Sequence, residues 1–401
     1  MILERVGAAC SGLTAALKAY YFGSVIMTEE DGRRIYAEMG ATPVINAIGN
    51  RTLLGGSAPS ASVRQAMEAA NRYYVDMGEL LESTGDVIAR LLGCEAALVT
   101  PGCAAALLLG TAGCMTGDNE ENMGRLPDAT GMKSEILIQK AQRYKYDRVV
   151  RMAGTTLVEV GGDSGATADQ LAAAMGADTL AVLYPALGLP EGDMLSLEET
   201  IRVAHQGDVP VIVDAAYQVY PVEGLRRYTD MGADLVGYGA KYIGAPNSSG
   251  ILCGRADLVR AARLHSFASF EILEVPGFGR PLKIDRQEVV AVVVALREWL
   301  EMDHEARYEE ASRRGLKLRR ALKARIPGIE MEPSAENAQV ANLTVKVGAL
   351  GKDGNVIATQ LRQGNPSIWA DADGDAVWFS MHTLADGDEA VIAQRLSAIL
   401  E

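Results

Sequence analysis

Along the chain, short aliphatic runs alternate with stretches whose apolar positions recur at helical spacing. Residues 62–77 show the helical pattern, and 80–92 show it again before Gly93 stops it. Residues 96–100 form a short apolar run that ends in Pro101-Gly102, and a helix of small residues follows at 104–115. Segments 136–138, 156–160, 179–184, 209–213 and 235–236 read as further strands, rich in β-branched and aliphatic side chains. Between them, 167–175 and 196–205 read as helices opening on Thr167 and Ser196, residue types suited to the N-cap. Continuous apolar strands separated by helices predict the α/β class, with a mainly parallel sheet covered on both faces.

The pattern changes at Val275-Pro-Gly-Phe-Gly279. Beyond it come a long helical stretch at 285–322, a proline-marked turn, strands at 339–347 and 376–381, and a last helix from Asp386. Longer strands with fewer helices predict a smaller α+β domain, with 276–281 as the hinge. The expected plan is an N-terminal helical extension over 1–27, an arm over 28–60, a large domain over 61–275 and a small domain over 276–401. The sequence shows no internal repeat and no low-complexity tract.

Composition narrows the class. With 48% hydrophobic and 22% charged residues among 401, the chain is a folded protein and not a disordered one. Lys and Arg number 38 against 52 Asp and Glu, a formal charge of −14, which argues against a nucleic-acid partner. The five cysteines include no C-x-x-C pair, so neither a disulfide framework nor a zinc site is expected, and a reducing cytoplasm is the expected compartment. The four histidines have no metal-ligand spacing; His205 is expected on an exposed helix face, and His265 is either a core residue or a site residue. Residues 6–17 are uncharged, but they follow Glu4 and Arg5, lack a cleavage signature and are too short to span a bilayer. They read as an amphipathic helix packing on its own protein, or as sequence preceding a start at Met27, and no membrane contact is expected. The 42 glycines, spread without a repeat, imply tight turns and backbone that approaches a ligand closely.

Three segments carry candidate chemistry. Val209-Pro-Val-Ile-Val-Asp214 is a hydrophobic strand ending in an acid, which puts Asp214 at the carboxyl edge of the sheet, where open α/β folds bind ligands. A helix cap is the other reading of that acid. Lys241 follows a short strand and lies among small residues, with glycines on both sides. A lysine that must reach a bound aldehyde needs such surroundings, because bulky neighbours would block the ligand and desolvation lowers its pKa. Thr100-Pro-Gly102-Cys103-Ala104 is a strand–turn–helix junction that frees backbone N–H groups for a phosphate, or else serves close helix–sheet packing. Taken in order, anion loop, acid and lysine describe a site for pyridoxal 5'-phosphate, with phosphate on the loop, pyridine nitrogen on Asp214 and aldehyde at Lys241.

Further segments carry a family resemblance. Pro43 to Ser57 (with Asn46, Arg51 and Gly56), Leu126-Pro-Asp-Ala-Thr-Gly-Met-Lys133, Tyr146-Asp-Arg148, the Asp214 and Lys241 segments and Gly279-Arg280-Pro-Leu-Lys283 are distinctive. In them the chain resembles the selenocysteine synthase-like group of fold-type I pyridoxal phosphate enzymes, and within it the D-glucosaminate-6-phosphate ammonia-lyase-like branch. The resemblance runs from about Thr28 to the end. It implies a seven-stranded-type, mainly parallel sheet, a smaller C-terminal domain, and a homo-oligomer with active sites at subunit interfaces. Around the cofactor it implies Gly102, Cys103, Ala104, Gln142, Asp214, Ala216, Tyr238, Lys241 and Ser248. For the carboxylate or phosphate of a small amino substrate, Arg280 and Arg362 are the first candidates, with Arg51, Lys283 and Asn46 beside them. Cys103 is expected as a small filler and not as a nucleophile. Two departures stand out: Gln142 occupies a position where relatives have a histidine, and Tyr238-Gly-Ala240 replaces a serine and glycines before the lysine. Tyr238 then either supplies a ring or hydroxyl to the site or simply packs.

The expected chemistry is proton removal from Cα by Lys241, elimination at Cβ, and hydrolysis to a keto acid and ammonia. Racemase or aldolase chemistry and a non-catalytic pyridoxal phosphate-binding relative are the alternatives. Selenium transfer to a charged tRNA is disfavoured by the acidic balance.

Overall fold

The computed structural model describes residues 29–186, 193–273, 276–335 and 339–401. The helical extension expected over 1–27 lies outside the described residues. The chain divides into two compact units: Asn50–Asp303, and the segment ending at Gly49 together with His304–Glu401.

The larger unit is built on seven strands: β1 (Ala96–Thr100), β2 (Glu135–Gln139), β3 (Thr156–Val160), β4 (Thr179–Pro185), β5 (Val211–Asp214), β6 (Leu235–Gly239) and β7 (Gly250–Gly254). Their order across the sheet is β1-β7-β6-β5-β4-β2-β3. β7 is antiparallel to both β1 and β6, and the remaining pairs are parallel. Ile136, Leu137, Ile138, Val211, Ile212 and Val213 are all fully buried, because helices cover both faces. Thr167 caps Ala168–Ala174 through a reciprocal bond with Gln170, and Ser196 caps Leu197–Gln206. The parallel connections carry the ends of β1, β5 and β6 to one edge of the sheet. The reversed β7 brings its first residue there instead, with Thr100 and Gly239 both in register with Gly250.

The boundary between units differs from the expected one at 275/276. The helix Arg286–Glu301 belongs to the larger unit, where Val289, Val292 and Leu296 are fully buried. Trp299 Nε1 also donates to the Val219 carbonyl at 2.8 Å. What reads as one helical stretch is two helices, Arg286–Glu301 and His304–Arg325, with the chain leaving the first core between them. The expected arm over 28–60 is likewise divided, since residues up to Gly49 join the smaller unit and Asn50 onward the larger.

In the smaller unit, Val44–Asn46 pairs in parallel with Ser367–Trp369. A four-stranded antiparallel sheet runs Asp371–Ala372, Ala376–Ser380, Asn342–Lys346, Glu330–Glu332. Helices His304–Arg325, Gly354–Gln363 and Asp388–Leu400 accompany it, and Leu318, Leu343, Phe379, Ile392 and Leu396 form its dry core. The α+β class is the expected one, but the strands are not the longer ones that the pattern predicts: they run two to five residues, against four to seven in the larger unit.

Candidate active site

Asp214 closes β5 with 5% of its surface exposed. The sheet register pairs it with Gly237, so both face the same side. A Cβ on Gly237 would lie 3.1 Å from Cys103 Sγ, which places the start of the helix Cys103–Thr116 on that same side. Asp214 Oδ1 accepts the Ala216 N–H at 3.1 Å and the Cys103 thiol at 3.5 Å, and Oδ2 accepts the Tyr144 hydroxyl. Burial first, then the Asp214 charge, pushes both the Cys103 thiol and the Tyr144 phenol up. Both groups are therefore protonated donors at neutral pH, and Cys103 is no thiolate nucleophile.

The helix beginning at Cys103 opens on Gly102, whose φ of +89° and ψ of 164° belong almost only to glycine. Thr100 Oγ1 donates to the Gly102 carbonyl at 3.0 Å and fixes the turn. Gly250 lies directly beneath, since a Cβ there would be 2.4 Å from Gly102 C and 2.7 Å from Cys103 N. The first N–H groups of a helix have no intrahelical acceptor, and Ala104 on this first turn is exposed. The junction has the form of an anion cradle, with the positive end of the helix dipole behind it.

Lys241 sits on the short 3₁₀ turn Ala240–Ile243 that follows β6, half-buried. Its Nζ donates to Thr52 Oγ1 at 2.6 Å. Asn50 Nδ2 donates to the Lys241 carbonyl at 3.1 Å, and the Ser57 hydroxyl donates to the carbonyl of Ala245, so segment 50–57 runs across this turn. Burial, then the Arg51 charge, holds the Lys241 amine below the ordinary lysine range. The Nζ is 5.0 Å from the Tyr242 ring centroid, and Tyr217 meets that ring edge-on at 6.3 Å. The Tyr242 hydroxyl is pushed up by burial first and then by Tyr146.

Anion cradle, buried acid and half-buried amine on one sheet edge fit pyridoxal phosphate. The Gly102–Ala104 turn offers donors for a phosphate, Asp214 an anionic partner for a pyridinium, and Lys241 an amine for the aldehyde. Among the described residues, no group of three His, Cys, Asp or Glu is placed to hold a metal ion, and no helix is long and apolar enough to cross a membrane.

The structure gathers Lys241, Arg51, Asp214, Ala216, Gly102, Cys103 and Ala104 on this edge, but it puts other expected site residues to different use. Tyr238 neighbours Gly237 on β6, and strand alternation turns it to the opposite face from Asp214. It is 1% exposed, and its hydroxyl donates to the Gly224 and Leu225 carbonyls at 3.3 and 3.2 Å, a packing role. Gln142 is buried, and its Oε1 accepts Gln139 Nε2 at 3.0 Å; Gln139 in turn holds the backbone of Leu195. The Ser248 hydroxyl donates to Glu288, on the helix Arg286–Glu301. Arg280 pairs with Glu271 at 2.6 Å, while Lys283 is exposed.

Asn46 and Arg362 belong to the smaller unit. Asn46 donates to the Gly49 carbonyl at 3.1 Å and accepts the Ile48 N–H at 3.0 Å, closing its own turn. Arg362 lies over the Trp369 ring at 4.1 Å. His265 is fully buried, accepting the Phe278 N–H at Nδ1 and meeting Thr116 Oγ1 at 2.8 Å through Nε2, a structural clamp. Sequence reasoning missed Asn50, Thr52 and Tyr144. The available signals were the neighbours of Arg51 and the Tyr144-Lys-Tyr-Asp147 run.

No family model matches the chain. It is 33% identical over 352 residues to a Streptomyces 5'-C-glycyluridine monooxygenase-decarboxylase, covering 83% of each chain. It is 30% identical over 380 residues to the D-glucosaminate-6-phosphate ammonia lyase of Salmonella typhimurium, covering 92% of this chain and 98% of that one. A solved D-glucosaminate-6-phosphate ammonia-lyase superposes with a TM-score of 0.79 at 28% identity, over 91% of this chain and 98% of that chain. An L-seryl-tRNA(Sec) selenium transferase of Moorella thermoacetica is 24% identical over 90% of this chain and 82% of its own.

Proposed function

Because the chain belongs to the selenocysteine synthase-like family of fold-type I pyridoxal phosphate enzymes, we propose that it is a lyase releasing ammonia from an amino acid or amino sugar acid. The observation that carries this reading is the similarity to the Salmonella ammonia lyase over almost its full length, joined to the convergence of Lys241 and Asp214 on one sheet edge.

Pyridoxal phosphate, when bound, supplies an electron sink for the pair left at the substrate's Cα. The N–H groups at the start of Cys103–Thr116 would hold its phosphate, and Asp214 would keep its pyridine nitrogen protonated. Lys241 would hold the aldehyde end of the cofactor and, once its amine is free, would take the proton from Cα. Burial and Arg51 lower its proton affinity, a shift in the direction that favours the neutral amine a base must be. Arg51, one residue from Thr52 on the segment crossing the lysine turn, binds the substrate's carboxylate or phosphate. Departure of a Cβ hydroxyl as water, followed by hydrolysis of the enamine released, gives the keto acid and ammonia.

The reading includes a cytoplasmic homo-oligomer. Tyr73, Tyr74 and Val75 are exposed, as are Phe270, Ile272 and Leu273. The two segments adjoin, since a Cβ on Gly78 would lie 2.9 Å from Ile272 Cδ1, and an apolar patch of this kind suits a second copy of the chain.

The similarity to the Streptomyces enzyme supports a second reading: oxygen-dependent loss of the substrate's carboxylate at the same site. The test is incubation of the cofactor-loaded protein, in deuterated water, with D-glucosaminate-6-phosphate, other amino sugar acids, amino acids and a 5'-C-glycyl nucleoside, followed by mass spectrometry. Ammonia with a keto acid supports the lyase. Carbon dioxide released with oxygen uptake supports the second reading. Substrates that return deuterated but otherwise unchanged, or cleaved between Cα and Cβ, reject both in favour of racemase or aldolase chemistry.

A further inference from the structure

We propose that Tyr144 is a positioning residue for Asp214, aiming the carboxylate's one remaining acceptor site at the pyridine nitrogen of the cofactor. This rests on the pyridoxal phosphate reading of the site. An ionised carboxylate offers about four lone-pair positions. On Oδ1 two are taken, by the Ala216 N–H at 3.1 Å and the Cys103 thiol at 3.5 Å. On Oδ2 one is taken by the Tyr144 hydroxyl, which leaves a single position for a ligand.

The three protein donors are unequal. The thiol is a weak donor, and the Ala216 amide holds only the side of Asp214 nearest its own backbone. The terminal torsion of an aspartate is broad, so these two leave the plane of the carboxylate loosely set. The Tyr144 phenol fixes it from the far oxygen. Its own root is braced: the Tyr144 N–H donates to Asp147 Oδ2 at 3.1 Å, Asp147 is 3% exposed, and Arg143 Nε holds the same oxygen at 2.5 Å. The Tyr144 ring also meets Tyr146 edge-on, with centroids 6.1 Å apart. A tyrosine tied down this firmly, with its hydroxyl on the buried acid, does more than fill space.

The test uses the cofactor-loaded protein and three variants, Tyr144→Phe, Asp214→Asn and the pair together. Tyr144→Phe is expected to raise the dissociation constant for pyridoxal phosphate about tenfold, the worth of one hydrogen bond to a charged group. It is also expected to shift the pH midpoint of the visible absorption band. With Asp214→Asn already in place, adding Tyr144→Phe is expected to change the dissociation constant less than twofold, because the phenol acts through the carboxylate. Equal fold-changes in the two backgrounds mean that Tyr144 only packs, and they overturn the proposal. So does an unchanged constant and spectrum in the single variant.

If Tyr144→Phe fails to fold, Tyr144→His decides the matter, because it keeps a ring and a donor. Affinity within about threefold of wild type supports positioning, and a loss as large as that of Asp214→Asn overturns it. A wild-type protein that shows no visible band with pyridoxal phosphate defeats the cofactor reading itself, an outcome distinct from each of these.

Discussion

A methyl group added at Gly250 tests whether the Gly102–Ala104 turn holds the cofactor's phosphate. In Gly250→Ala the new carbon would sit 2.4 Å from Gly102 C, 2.7 Å from Cys103 N and 2.8 Å from Gly102 O. Carbon atoms in contact prefer about 3.5–4.0 Å, so the overlap with Gly102 C exceeds an ångström. All three obstructing atoms are backbone and cannot swing aside as a side chain would. Overpacking costs about 1–3 kcal/mol, and the absence of a flexible neighbour puts this site at the upper end. If the sheet bears the strain, the unfolding midpoint falls by roughly 6–12 °C.

If the turn bears it, the N–H groups at the helix start move by about an ångström, enough to break a hydrogen bond of ordinary length. Losing one or two charge-assisted bonds weakens phosphate binding by roughly 10- to 100-fold. The assay is a titration with pyridoxal phosphate followed by absorbance, beside the same titration with phosphate-free pyridoxal. The variant is expected to lose affinity for the first ligand and to keep wild-type affinity for the second. Gly328→Ala is the control, because φ is +81° there with nothing within 4 Å, and the residue belongs to the smaller unit. It is expected to cost stability without touching cofactor affinity. A Gly250→Ala protein that melts lower yet binds pyridoxal phosphate as wild type does would refute the assignment of the phosphate to this turn.

Burial lowers the His265 imidazole from the ordinary 6.5 to about 4, so the folded protein resists a proton that the unfolded chain accepts. The stability conferred by neutral His265 is complete above pH 6.5 and drains away as pH falls toward 4, a loss of roughly 3 kcal/mol at most. Urea unfolding at pH 7 and pH 4.5 should show the drop, and His265→Gln should flatten it. Arg51→Gln should raise the proton affinity of Lys241, moving the borohydride trapping of pyridoxal phosphate on that amine to higher pH, while Lys241→Ala should abolish trapping. Tyr238→Phe should cost about 1 kcal/mol of stability, from the hydroxyl's bonds to Gly224 and Leu225, and leave the cofactor dissociation constant unchanged.

The strands that position the site were legible because burial on both faces writes them as plain aliphatic runs, as at 136–138 and 211–213. Asp214 was legible as the acid directly after such a run, and Lys241 as a lysine set among small residues and glycines just past another. Facing direction was not legible. Tyr238 lies three residues from the lysine, and only the pairing of Asp214 with Gly237 reveals that it points the other way. Register is a property of two strands, and one strand's sequence does not contain it. Tyr144 escaped for a similar reason, its hydroxyl meeting a carboxylate 70 residues away. The boundary between units was misread because helical periodicity continues from Arg286–Glu301 into His304–Arg325, while the partner that each helix packs against changes.

The reversal of β7 has a kinetic side. Lys241 lies on the connection between two strands zipped together from Gly239↔Gly250 to Leu235↔Gly254, in the middle of the sheet. Paired interior strands such as these are among the last parts of a domain to open. The polypeptide crossing over it is met through side-chain donors, Asn50 to the Lys241 carbonyl and Ser57 to that of Ala245, with Thr52 against the amine. Such ties release locally and at low cost. The reactive amine thus follows a strand whose amide hydrogens are expected to exchange late, and those of segment 50–57 are expected to exchange sooner, a difference that hydrogen-exchange mass spectrometry reads.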